Sequence, residues 1–397
     1  MAKQKTGHGK HICRSRRHYS AYWLLLVIGV VVGGFALQSL ALWLPSWPWA
    51  LGFAANATVW PLLQAMFSIL LLGVAAGFYY LARRPAAIVF CLFGVVTIMP
   101  VSMMFASWHN YADEQDLTLD VGQQVYMTRG ANPPDETFEY GRAGEHSLLL
   151  SAYFNPDISK RSPAVIYVHG GGWSGGSRTE NGELFRWLNS HGYSVFSIDY
   201  RYATDSYASW RDAPRDVVCA LTWLKQTADV QHVDPGNVTL MGDSAGGQLA
   251  LRAAYGVSSG DVTSSCGGEP VRVKKVVGIV PAIDFRELYD DPNRGPTSRA
   301  NVVRYLGGAP DTASEAYTES SILTHVKAGL LPTLLINAAN DTLVSPGSGE
   351  RLATALKSAG VDAQQYTLPY AAHSYWINPG GYQNQLSRQM IERFLTE

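Results

Sequence analysis

The sequence predicts an α/β protein built on a mostly parallel eight-stranded sheet with helices on both faces, preceded by three transmembrane helices. Three observations predict it. From about residue 164 onward, short apolar runs alternate with longer amphipathic segments, which is the rhythm of β-α-β units. A Gly-x-Ser-x-Gly pentapeptide follows one apolar run, and a His-Gly-Gly-Gly run follows an earlier one. Ahead of these lie three apolar stretches of roughly 20 residues, each enough to cross a bilayer.

Charge separates the two parts of the chain. The formal net charge of the 397 residues is -1, yet the first acidic residue is Asp113. Eight of the 31 Lys and Arg precede it, so 23 remain against all 32 acidic side chains. An acidic domain gains nothing from a phosphate backbone, which argues against a nucleic-acid partner.

The early basic residues follow a topological pattern. Lys3, Lys5, Lys10, Arg14, Arg16 and Arg17 make residues 1–21 a basic tail. Spans are expected at about 22–44, 59–82 and 86–108. No Lys or Arg lies between Pro45 and Thr58, whereas Arg83-Arg84 occupies the turn after the second span. Positively charged segments stay on the cytoplasmic side, so the tail and Arg83-Arg84 are expected there. Three crossings then place residues 109–397 on the far side, periplasmic or extracellular. The first apolar run exceeds a signal-peptide h-region and two more follow, so an anchor is expected rather than a cleaved leader.

Residues 113–162 are polar and turn-rich, with alternating runs at 124–127 and 148–154 expected as edge strands. Strands then follow at 164–168, 193–198, 238–241, 276–280, 333–337 and 363–368. Helices are expected at 180–191, 212–228, 246–255 and 346–359, with a closing helix at the C-terminus. The alternation lapses between 285 and 331, where Tyr289, Asp290-Asp291-Pro292, Tyr305 and Tyr317 read as a cap insertion over a site.

Gly242-Asp243-Ser244-Ala245-Gly246 sits between the strand at 238–241 and a helix, the setting of a nucleophile elbow. Such a turn is so tight that small residues must flank the serine. His169-Gly170-Gly171-Gly172 follows the strand at 164–168, where an oxyanion loop belongs. No Gly-Lys-Ser/Thr follows it, which separates it from a phosphate loop. The backbone amides of Gly171, Gly172 and Ala245 are the expected oxyanion donors, while His169 and Asp243 are expected to shape the site.

A serine nucleophile on such a sheet takes its acid and then its histidine later in the chain. Asp341 follows the strand at 333–337 and His373 follows the strand at 363–368, so both fall at C-terminal strand ends. Asp284 is the nearest rival for the acid. His146, His191, His232 and His325 lie before the strands, at a helix end, or in loops and the cap. In this arrangement His373 takes the Ser244 proton, Asp341 fixes its tautomer, and neither metal nor cofactor is needed.

Taken together, the motifs resemble the hormone-sensitive-lipase-like esterases of the α/β-hydrolase superfamily. They are His169-Gly170-Gly171-Gly172-Trp173, Asp199-Tyr200-Arg201, Gly242-Asp243-Ser244-Ala245-Gly246-Gly247, Asn340-Asp341-Thr342-Leu343-Val344 and His373, spread over roughly 162–397. The resemblance implies an α/β-hydrolase fold, hydrolysis of an acyl ester through a Ser-His-Asp triad, and no cofactor. An amidase or acyltransferase would use the same triad, and a non-catalytic binding module is a third reading, because fold does not imply function.

Arg201 and Asp216 resemble the pair that braces the oxyanion loop in that family, although a surface salt bridge accounts for them equally well. Ala203-Thr204-Asp205 stands where the family carries Ala-Pro-Glu, and the spans stand where it carries an N-terminal cap. The acyl pocket is therefore not inherited; Trp173, Tyr202, Trp210, Tyr375 and Trp376 are candidates for its walls or for core. Cys13 and Cys91 lie in the tail and a span, leaving Cys219 and Cys266 in the soluble part. An oxidising compartment would let that pair form a disulfide, and two unrelated buried thiols explain them as well.

Overall fold

A computed structural model describes residues 28, 31–32, 34–35, 37–42, 58–80, 84–125 and 132–397. The chain divides into two compact units, residues 1–106 and 107–397.

In the first unit, helix α1 (Pro61–Tyr80) and most of helix α2 (Arg84–Glu114) fall on the second and third expected spans. Both are long and apolar enough to cross a membrane. The expectation of three such helices is corrected to two among the described residues. The first span, at 22–44, falls largely outside them; its described positions from Ile28 to Ala41 are helical. Large apolar side chains stand exposed on both helices, among them Met66, Ile69, Ile88 and Leu92. In water such exposure is unfavourable, whereas against lipid tails it is neutral. The Gln64 amide turns inward to the Ser39 hydroxyl, as a polar group inside an apolar helix pair must.

The second unit holds one eight-stranded sheet in the order β1-β2-β4-β3-β5-β6-β7-β8. Its strands are β1 (Glu136–Ala143), β2 (His146–Tyr153), β3 (Ser162–Val168), β4 (Ser194–Ile198), β5 (Val233–Asp243), β6 (Val273–Ile279), β7 (Thr333–Ala338) and β8 (Ala363–Leu368). The pairs β1/β2 and β2/β4 are antiparallel and all other pairs are parallel.

The central strands are mostly apolar and largely buried because both faces are covered. On β3, Ile166 and Val168 join one core, which also takes in α4 (Asp212–Thr227), α5 (Ala245–Ser259) and α9 (Pro346–Ser358). Val165 and Tyr167 point to the other, where Phe185 of α3 (Gly182–Ser190) meets Leu386 and Phe394 of α10 (Tyr382–Thr396). Between β6 and β7 the chain forms α6 (Phe285–Asp290), α7 (Gly295–Leu306) and α8 (Ser314–Ser320), in the segment expected as a cap.

One expected strand is corrected. Of the run at 124–127, the described part belongs to a 3-10 turn at Gly122–Val125, and the edge strand is instead Glu136–Ala143. The reason is tertiary. Gln385 of α10 accepts from the Asp120 amide at 2.7 Å and donates to its carbonyl at 2.9 Å, while Gln389 donates to the Thr118 carbonyl at 2.7 Å. Side chains of α10 thus fix the course of the chain that leads into this turn.

Cys219 on α4 and Cys266 are joined by a disulfide with Cα atoms 5.5 Å apart. They are separated by 47 residues, a loop whose closure contributes about 4 kcal/mol in the chain-entropy account.

Candidate active site

Ser244 sits between β5 and α5 at φ 54, a left-handed backbone that a non-glycine residue adopts only when its surroundings impose it. Its amide donates to the Ile279 carbonyl at the end of β6, 2.8 Å away, and its carbonyl accepts from Gln248. Gly246 is required by close approach: a Cβ there would overlap the carbonyl oxygens of Val168 and His169.

Ser244, His373 and Asp341 form one hydrogen-bonded line. His373 Nε2 lies 2.9 Å from Ser244 Oγ, and its Nδ1 lies 2.6 Å from Asp341 Oδ2. The other Asp341 oxygen accepts from the amides of Leu343 and Val344, each at 2.8 Å, so the carboxylate is locked in place. The rival Asp284 does different work: its Oδ1 accepts from the amides of Arg286 and Glu287 and caps α6. His146 opens β2, while His191, His232 and His325 bond the carbonyls of Trp187, Ile158 and Glu319.

The glycine loop lies against this line. Gly170 is packed so closely on Asp243 and Ser244 that a Cβ would meet both. Gly171 takes φ 113, which turns the backbone as an L side chain rarely permits. Gly172 lies beneath the Asn301 amide of α7. The Ala245 amide opens α5, so the three expected oxyanion donors come from two neighbouring segments.

His169 is buried, with Nδ1 2.7 Å from the Gly170 carbonyl and Nε2 3.1 Å from the Tyr202 hydroxyl; burial lowers its pKa. Asp243 is buried as well, and burial pushes its carboxyl up to about 6 against the hydrogen bond from Tyr167. That bond is 2.6 Å, and Asn181 donates to the same oxygen at 3.3 Å. Among the described residues, no group of three or more His, Cys, Asp or Glu side chains is placed to hold a metal ion.

Arg201 grips Asp216 through Nε at 2.8 Å and Nη2 at 2.7 Å. Asp216 is fully buried, so this is no surface ion pair. Two residues on, Ala203 donates to the Trp173 carbonyl at 2.8 Å, and the Tyr200 ring stacks on His169. The pair therefore anchors the segment that braces the glycine loop.

The aromatic candidates separate. Trp173 is core, stacked on Tyr305 of α7 with ring centroids 4.5 Å apart, and Trp210 lies under Arg211. Tyr375 is buried and donates to Ser387. Trp376 alone of the five has its ring beside His373, edge-on at 5.8 Å. A cavity of about 280 Å³, lined by Asp243 and Trp376 among others, lies alongside. From the insertion, Arg294 donates to the Asp341 carbonyl at 2.6 Å.

The BD-FAE family model matches residues 150–356, more than half of the chain. The chain belongs to that family, among the hormone-sensitive-lipase-like esterases. LipM of Mycobacterium tuberculosis, described as a probable carboxylic ester hydrolase, is 27% identical over 264 residues, 65% of this chain and 59% of its own length. The carboxylesterase NlhH of the same organism is 32% identical over 115 residues, 28% of this chain and 34% of its own length. The chain thus spans less than two thirds of the curated relatives it matches. Among solved structures, the propionate-bound esterase Est2 of Thermogutta terrifontis aligns with TM-score 0.56 at 22% identity, covering 67% of this chain and 95% of that one. It shares the α/β-hydrolase fold.

Sequence reasoning missed Tyr167 and Asn181 as the partners of the BD-FAE elbow aspartate, and Arg294 behind Asp341. No local signal marks them, since each reaches the site from another element.

The His373 imidazole is shifted by its two neighbouring influences. Burial pulls its imidazole down, but the Asp341 carboxylate outweighs burial and leaves the pKa above the ordinary 6.5. A His373 that served as general base would act only when unprotonated, and kcat/KM would then fall as pH drops through that raised value. A pH-rate profile of the full chain checks this; an acid limb centred below 6.5 would refute it.

Proposed function

We propose that this chain is a membrane-anchored serine carboxylic ester hydrolase, with Ser244 as nucleophile, His373 as base and Asp341 as orienting acid. The observation that carries the reading is the continuous line Ser244–His373–Asp341 beside the glycine loop. Ser244 Oγ attacks the ester carbonyl while its proton passes to His373 Nε2, and the amides of Gly171, Gly172 and Ala245 receive the oxyanion. The intermediate expels the alcohol, which takes the proton from His373. Water, deprotonated by the same imidazole, then cleaves the acyl-enzyme and restores Ser244.

The catalytic unit is assigned to the periplasmic or extracellular side, an assignment that requires residues 22–44 to supply a third crossing beside α1 and α2. Support comes from the basic tail, the apolar faces of α1 and α2, and the Cys219–Cys266 disulfide, which persists in oxidising compartments. Short acyl groups on envelope glycoconjugates or lipids are the substrates that such a location offers.

Full-length protein in detergent should hydrolyse p-nitrophenyl esters of graded chain length, and p-nitroanilides at least about 100-fold more slowly, about 2.7 kcal/mol of discrimination. Absent ester turnover, or anilides cleaved equally well, would overturn the assignment. A reporter fused after residue 397 should be active only outside the cytoplasm, and cytoplasmic activity would reverse the topology.

A further inference from the structure

We propose that Trp108 is a positioning residue for His373, its indole N–H holding the loop on which the imidazole is carried. This rests on the reading of His373 as the base. β8 ends at Leu368, and four residues separate it from His373. Trp108 is fully buried, and its Nε1 donates to the Pro369 carbonyl at 2.7 Å. The next residue, Tyr370, takes φ 56, a conformation that persists only when its surroundings impose it. Ala371 then accepts from the amide of Asn340, the neighbour of Asp341, at 2.8 Å. The loop is thus tied at one end to Trp108 and at the other to the segment carrying the acid.

The donor stands on rigid support. Trp108 lies in the last two turns of α2, which belong to the second unit, and its ring meets the edge of Tyr382 at 5.7 Å. Ala112, one turn on, is buried in the same core as Ala371 and Tyr375. Beyond the helix end, Arg393 donates to the carbonyls of Gln115 and Asp116 at 3.1 and 3.0 Å. A buried indole N–H usually finds some acceptor. Here the acceptor chosen governs where a base must sit within tenths of an ångström of its serine.

Trp108→Phe in the full chain keeps an aromatic ring in the core and loses the donor. With rates normalised to enzyme labelled by a fluorophosphonate, kcat should fall about 5- to 20-fold while KM stays within about twofold. The acid limb of kcat/KM should also move to lower pH as the Asp341 contact that raises His373 loosens. Gln389→Ala removes a comparable contact between the linker and α10 away from the loop, and should lower Tm with kinetics unchanged. Trp108→His, which retains a ring N–H, should stay within about threefold of the parent kcat.

Parental kcat in Trp108→Phe, an equal loss in Gln389→Ala, or a loss in Trp108→His as deep as in Trp108→Phe would overturn the proposal. Should Trp108→Phe yield no labelled enzyme, Trp108→His decides alone, a loss beyond about tenfold counting against it. The base assignment has a separate readout: a parent chain that takes no label would sink the triad, whereas a labelled Trp108→Phe with parental kcat sinks only the positioning role.

Discussion

Ser244→Ala should leave a folded chain with ester turnover reduced about a millionfold and no fluorophosphonate labelling. The lost hydroxyl makes one hydrogen bond, to His373 Nε2, and removing a methyl-sized polar group from an open turn creates no sizeable cavity. Alanine meets the same backbone demand at φ 54 as serine does, so Tm should change little. On the proposed mechanism, activity depends instead on a covalent intermediate that alanine cannot form. What survives is the stabilisation by the amides of Gly171, Gly172 and Ala245, enough for a residual rate above that of water. Purified variant and parent, compared by labelling and by turnover at matched folded concentration, decide the matter. Retained labelling would mean that another side chain is the nucleophile.

The elbow and the glycine loop were legible because their demands are local. A serine at a left-handed turn needs a small residue where Gly246 passes the Val168 carbonyl, and that need is written in adjacent positions. The parallel strands were legible for a similar reason, since continuous burial on both faces selects apolar runs such as Ala164 to Val168. β1 was not legible. Its side chains are mostly solvent-facing and polar, so its pairing with β2 is decided by backbone groups. The segment before it takes its course from Gln385 and Gln389, more than 260 positions away in sequence, which no local pattern displays.

The choice of acid was ambiguous for a definite reason: Asp284 and Asp341 both follow strands of the parallel sheet, and strand position alone ranks them without separating them. The separating signal was present in part. Asp284-Phe285-Arg286-Glu287 has the acid three residues ahead of a glutamate that marks a helix start, and Asp284 is indeed occupied by the first amides of α6. Capping consumes one carboxylate oxygen on local backbone, whereas Asp341 keeps Oδ2 free of backbone donors and turns it to the imidazole.

Asp341→Asn should therefore lower kcat by about four orders of magnitude while leaving the fold intact. The amides of Leu343 and Val344 will hold the side-chain oxygen where Oδ1 now sits, because they are donors and need an acceptor. The carboxamide NH₂ then faces His373 Nδ1 and forces that nitrogen to accept. The proton moves to Nε2, which can no longer take one from Ser244. The acid limb should shift as well: without the carboxylate, burial is the main influence left on His373, so its pKa falls and the limb moves to lower pH. Asp284→Asn, by contrast, substitutes one good N-cap for another and should cost well under about 1 kcal/mol of stability with kcat unchanged. A pair of pH-rate profiles measured on the two variants distinguishes them cleanly. If Asp284→Asn were the crippled enzyme, the 2.6 Å contact at Asp341 would be a structural bond, and the acid would have to act from the far end of β6.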